Sequence, residues 1–101
     1  MVIRFLDKKL QLLYTSLVGA DNYPRGVVDA FLEKVQIIQN AKDERDLYAL
    51  KSLHYEKLSG KRGKLGERSI KLNDQWRLIL KPLVDKAGKL IVIISITNHY
   101  K

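Results

Sequence analysis

Hydrophobic positions along the chain follow a helical period in the first half and an alternating one in the second. Val2 to Leu6 is a short β-prone segment, and Asp7 stands where it can cap a helix whose apolar positions Leu6, Leu10, Leu13 and Leu17 keep helical spacing. A break follows at Val18 to Tyr23, with Gly19, Asp21 and Asn22. Pro24 suits the first turn of a second helix, where its missing N–H costs nothing. Val28, Phe31, Leu32, Val35 and Ile38 form the apolar stripe of that helix. Asp43 to Leu50 reads as a brief third helical turn with Leu47 and Leu50 pointing inward.

From Gly66 the period becomes two. Ile70 and Leu72 fall on one side of a strand, with Ser69, Lys71 and Asn73 on the other. Asn73-Asp74 marks a turn. Gln75 to Leu83 then resumes as a strand, placing Trp76, Leu78 and Leu80 opposite Gln75, Arg77, Ile79 and Lys81, and Pro82 predicts the end of regular pairing. Asp85 to Gly88 is a second turn, leading into a strand over Lys89 to Thr97. Its segment Leu90 to Ile94 is apolar on both faces, the pattern of a central strand. Two N-terminal helices ahead of mostly antiparallel strands predict an α+β fold with the helices packed on one face of a twisted sheet. A chain of 101 residues is expected to form one domain over residues 1–101.

Composition narrows the partners. Nineteen Lys plus Arg against eleven Asp plus Glu give a formal charge of +8, which favours a nucleic acid first and an acidic protein second. With no cysteine, and His54 and His99 as the only histidines, neither a metal site nor a small-molecule cofactor is expected. The longest apolar run, Leu90 to Ile94, is far short of the roughly 20 residues needed to cross a bilayer, so a cytoplasmic protein without membrane contact is expected.

If Ile70, Leu72, Trp76, Leu78 and Leu80 face the helices, Ser69, Lys71, Gln75 and Arg77 share the opposite, cationic face. Counting along the last strand, Ser95 and Thr97 lead to His99 on one side, while Ile94 and Ile96 lead to Asn98 and Tyr100 on the other. A one-residue bulge would exchange His99 for Tyr100. Metal-independent RNA cleavage needs a base for the 2′-hydroxyl, an acid for the 5′-oxygen and fixed cations around the phosphate. Arg62 and Arg77 are the candidate phosphate clamps, and His99 and Tyr100 the candidates for proton transfer. Lys57, Lys61, Lys64, Arg68 and Lys71, with Asn98 at the strand end, are the candidate RNA- and ribosome-binding residues. Plainer roles stand beside these: Trp76 as a core residue, His54 as a structural or surface residue, and the KRGK cluster as a solvated β-turn in a glycine-spaced loop.

The stretch YEKLSGKRGKLGERSIKLNDQWRLIL, together with QNAKDERDL before it and the terminal ITNHYK, resembles the HigB-like host-inhibition branch of the RelE/ParE toxin superfamily. The resemblance implies the toxin of a type II toxin-antitoxin pair, acting on messenger RNA at the ribosome as an endoribonuclease and silenced by a HigA-like antitoxin. It aligns Arg62 with the loop arginine, Arg77 with the arginine of the Trp-Arg pair, and Asn98-His99-Tyr100 with the terminal catalytic segment. Many HigB-like relatives end in Asp-Tyr-His, so the carboxylate is absent here and the other two residues are reordered. Ser59 replaces a loop lysine of some relatives. Two other classes remain open: a ParE-like toxin that poisons DNA gyrase without cutting RNA, and a non-toxic basic nucleic-acid-binding module.

Overall fold

The apolar stripes of the first half and the alternating strands of the second meet in one core. The structure, a computed structural model, describes residues 1–98. The elements in chain order are β1 (Val2–Phe5), α1 (Lys8–Ser16), α2 (Arg25–Asn40), α3 (Glu44–Ala49), β2 (Glu56–Lys57), α4 (Gly60–Lys64), β3 (Arg68–Lys71), β4 (Trp76–Asp85) and β5 (Gly88–Asn98). Short 3₁₀ turns at Ala20–Asn22 and Lys51–Leu53 join some of them. The five strands form one sheet in the order β1-β5-β4-β3-β2, parallel between β1 and β5 and antiparallel elsewhere. β5, apolar on both faces over Leu90 to Ile94, has a neighbour on each side.

Asp7 caps α1 by accepting a hydrogen bond from Leu10 N (3.3 Å), as its position predicts. Asp43 caps α3 in the same way through Arg45 N (2.8 Å). Val27, Val28, Phe31, Val35 and Ile38 of α2, with Leu10 and Leu13 of α1, pack on Ile70, Leu78, Leu80, Ile91 and Ile93 of the sheet. Trp76 packs partly buried against the same core, its ring edge-on to Tyr23 with centroids 5.9 Å apart. That is the core role the sequence favours for it.

Four local expectations are corrected. Leu6 and Leu17 lie outside the helix and are exposed, because α1 ends at Ser16 and Leu17 takes a left-handed backbone. Leu50 is exposed as well, since α3 stops at Ala49 and the chain leaves in an extended conformation; only Leu47 of that pair is buried. Pro82 does not end the pairing of β4, which continues opposite β5 to Asp85. β3 reaches only to Leu80, so beyond it β4 has an open flank where a missing N–H is tolerated. Gln75 sits outside β4 in a turn built by Asn73, whose Oδ1 accepts from the Gln75 and Trp76 N–H groups at 2.8 Å each.

The basic glycine-spaced segment is not a loop but the short helix α4, and each of three glycines has a physical reason. Gly60 and Gly66 adopt positive φ (69° and 90°), which suits residues without a Cβ. A Cβ on the buried Gly63 would run into the carbonyl oxygen of Leu58. Gly66 N–H donates to Gly63 O (3.0 Å) and Glu67 N–H to Arg62 O (3.1 Å), the Schellman closure that stops the helix and turns the chain into β3.

Candidate nucleic-acid interface

Register decides which side chains share the face that the helices leave open. Lys71 pairs with Arg77 and Arg77 with Thr97, forming one row across β3, β4 and β5. Ser69, Ile79 and Ser95 form the next row, and Glu56 of β2 extends it beyond Ser69. β5 carries one extra residue, Ile94, where the register shifts between Ile79 and Leu80. The bulge lets Ile93 and Ile96 both pack toward the core while Ser95 and Thr97 stay on the open face, their hydroxyl oxygens 3.4 Å apart. It precedes Ser95, so the parity counted from Ser95 to Thr97 agrees with the structure.

On this face lies a groove of about 400 Å³ between the α4 corner and the end of β5. Its floor is the buried Ile79, with Arg77, Ser69 and Thr97 beside it, Arg62 from α4, and Glu56 from β2. Arg77 Nη1 donates to the buried Ser69 Oγ (3.4 Å) and sits 3.2 Å from Glu56 Oε1. Arg62 Nε donates to Glu67 Oε1 (2.8 Å). Both guanidiniums are therefore oriented by an acceptor before any ligand arrives, and two arginines in one groove suit a phosphate.

The sequence-predicted residues divide under this geometry. Arg62, Arg77, Lys57 and Asn98 line the groove. Lys71 neighbours Arg77 in the same row, its ammonium 3.1 Å from Asp74. Lys61 and Lys64 are exposed on α4, at the rim rather than in the groove. Arg68 goes elsewhere. It pairs with Leu80, a core-facing position, and its Nε lies 3.4 Å from Glu44 Oε2 of α3, an ion pair without hydrogen-bond alignment. Tyr55 donates to the same carboxylate oxygen at 2.8 Å and stacks edge-on against Tyr48. Burial, reinforced by the bond to Glu44, pushes the Tyr55 hydroxyl well above the ordinary tyrosine range, so it stays a proton-bearing donor. His99 and Tyr100 lie outside the described residues. His54 is exposed, holds a left-handed backbone at the end of a 3₁₀ turn, and is not in the groove.

Glu56, Leu58, Ser59, Ser69, Ile79 and Thr97 are the groove residues that sequence reasoning did not single out as functional. Strand parity already put Ser69 and Ile79 on the Arg77 face, so the signal for them was present. None existed for Glu56, because β2 has only two residues and no period can be read from it. A smaller, more apolar recess of about 330 Å³ lies at the far end of the sheet, between Met1, Pro82, Leu83 and Leu90, with no arginine in its wall. Among the described residues no three His, Asp or Glu side chains converge as metal ligands, and no helix is long and apolar enough to cross a membrane.

No family model matches the sequence, and no curated protein matches it either. Solved structures do match. A YoeB/ParE toxin from Agrobacterium tumefaciens superposes with a TM-score of 0.55 over 99% of this chain and 100% of its own, at 13% identity. YafQ from Escherichia coli strain BL21(DE3) superposes with a TM-score of 0.55 over 97% of this chain and 92% of its own, at 17% identity. This chain shares their fold. The agreement spans both the helical half and the sheet, so the α+β architecture expected from the sequence holds throughout the described chain.

Proposed function

We propose that the chain is the toxin of a toxin-antitoxin pair, acting as an endoribonuclease on messenger RNA at the translating ribosome, HigB-like in kind and silenced by a HigA-like antitoxin. The observation that carries this reading is the oriented Arg77, held between Ser69 and Glu56 in a groove that Arg62 also enters. The shared fold with a YoeB/ParE toxin and the resemblance of the hairpin segment support it.

In this reading an RNA phosphate replaces Glu56 at the Arg77 guanidinium, and Arg62 offers the second cation. The 2′-hydroxyl attacks the adjacent phosphorus, a base takes its proton, and an acid returns a proton to the departing 5′-oxygen. The products are a 2′,3′-cyclic phosphate and a 5′-hydroxyl end. Glu56, displaced from Arg77 but still beside the phosphate, is placed to take the proton, and His99 or Tyr100 supplies the acid. All of these groups are side chains, so the chemistry asks for no metal. Lys57, Lys61, Lys64 and Lys71 hold the RNA and ribosomal backbone, with Asn98 in the groove wall. The net charge of +8 favours an acidic antitoxin segment over the same face.

The test is induced expression of the wild type and Arg77→Ala in a bacterium, with messenger-RNA 5′ ends mapped across the transcriptome. Growth arrest with new ends in phase with codons, absent in Arg77→Ala, is expected. Arrest without new ends would replace the nuclease with a gyrase poison, and harmless expression with salt-dependent RNA binding would leave only a basic binding module.

A further inference from the structure

Arg62 stands on a helix of only five residues, Gly60–Lys64, yet its place is fixed from two directions. The backbone N–H of Glu67 donates to the Arg62 carbonyl (3.1 Å), and the Arg62 Nε donates back to the Glu67 carboxylate (2.8 Å). Glu67 is itself tied down, because its own carbonyl accepts from Leu58 N (3.2 Å) and from Arg68 Nη1 (3.4 Å). Its side chain is 16% exposed, against 50% for Arg62. The acid is thus the fixed partner and the arginine the one reaching outward. Because the bond uses Nε, no hydrogen bond among the described residues engages the two Nη groups, the pair that grips a phosphate bidentately.

Resting on the RNA-directed reading above, we propose that Glu67 is a positioning residue: it holds the Arg62 guanidinium by Nε so that its Nη atoms meet an RNA phosphate in the groove. A carboxylate beside a nucleic-acid site would otherwise only weaken binding, by cancelling one positive charge. The two roles predict opposite signs. If Glu67 merely neutralises Arg62, removing it strengthens RNA binding. If it positions Arg62, removing it costs as much as losing the arginine's contact, because the side chain must then be ordered at the moment of binding.

The experiment titrates a short fluorescent single-stranded RNA into the wild type, Glu67→Gln, Glu67→Ala, Arg62→Ala and the Glu67→Ala/Arg62→Ala pair over a range of salt. Thermal melts check that each is folded. Glu67→Gln keeps an oxygen acceptor for Nε and is expected to bind within about twofold of the wild type. Glu67→Ala and Arg62→Ala should each bind about tenfold more weakly, with a salt slope lower by about 0.7, and the double variant no more weakly than either. Tighter binding by Glu67→Ala, or losses that add in the double variant, would overturn the proposal. Mapping messenger-RNA 5′ ends after induced expression of the wild type separates the two readings. If the binding pattern holds but the wild type cuts no messenger RNA on translating ribosomes, the nuclease falls and the positioning role stands. If the wild type binds no RNA, both fall.

Discussion

Arg68 and Arg77 sit on neighbouring strands of one sheet, each beside a glutamate at a similar distance, 3.4 Å from Glu44 and 3.2 Å from Glu56. Their side chains are almost equally exposed, 18% and 20%. What differs is the face. Arg68 points to the side covered by α3, where Glu44 also takes the hydroxyl of a largely buried tyrosine. Arg77 points to the uncovered side, where Glu56 is 60% exposed and easily displaced. Burial and charge alone would class the two arginines together. Strand parity and the element overhead separate a fixed structural cation from one that a ligand can claim.

Exchanging each arginine for alanine is the strongest way to break this comparison. Arg77→Ala should lower messenger-RNA cleavage about 10²- to 10³-fold, the usual cost of one preorganised donor to a developing oxyanion. Its melting temperature should fall less than that of Arg68→Ala, because Glu56 is then left in solvent and only the long bond to Ser69 Oγ is lost. Arg68→Ala should do the reverse. It leaves a carboxylate and a tyrosine hydroxyl in a confined space and should cost about 2 kcal/mol in denaturant unfolding, with cleavage nearly intact.

Gly63→Ala tests the scaffold that carries Arg62 to the groove. The added methyl meets the Leu58 carbonyl oxygen, so α4 must shift, and a loss of about 2 kcal/mol with weaker RNA binding is expected in melts and titrations. Tyr55→Phe sharpens the covered side. It removes one hydrogen bond to a charged acceptor, about 1.5 kcal/mol. The sign with pH follows from the raised Tyr55 pKa. The stabilisation is complete below the unfolded tyrosine value of about 10 and declines above it, as the unfolded chain ionises while the folded one does not. Alkaline unfolding curves should therefore be flatter for Tyr55→Phe than for the wild type. The smallest effects belong to the rim: Lys61→Ala and Lys64→Ala should each lower the salt slope of RNA binding by about 0.7 without changing the melt.

Legibility followed the length of each periodic run. The apolar stripe of α2 and the alternation of β4 extend over many residues, and they gave the fold class and the open face with Arg77 on it. β2, with two residues, and α4, with five, are too short to carry a period, so Glu56 and the helical state of the KRGK segment were invisible. Arg68 was misgrouped for a related reason. Its charge beside a basic run groups it with the RNA-binding lysines, whereas extending the alternation back from Ile70 and Leu72 puts it on the core side, under Glu44 of α3. The terminal His99 and Tyr100, which carry the resemblance-based catalytic assignment, lie outside the described residues, so that assignment rests on the sequence alone.

The most direct test of the two-face account is an NMR titration of the arginine Nε–Hε signals with a short single-stranded RNA. The account predicts that the Arg77 and Arg62 resonances shift progressively with added RNA while that of Arg68 stays in place. A shift of Arg68 matching that of Arg77, or an unmoved Arg77 under saturating RNA, would contradict it.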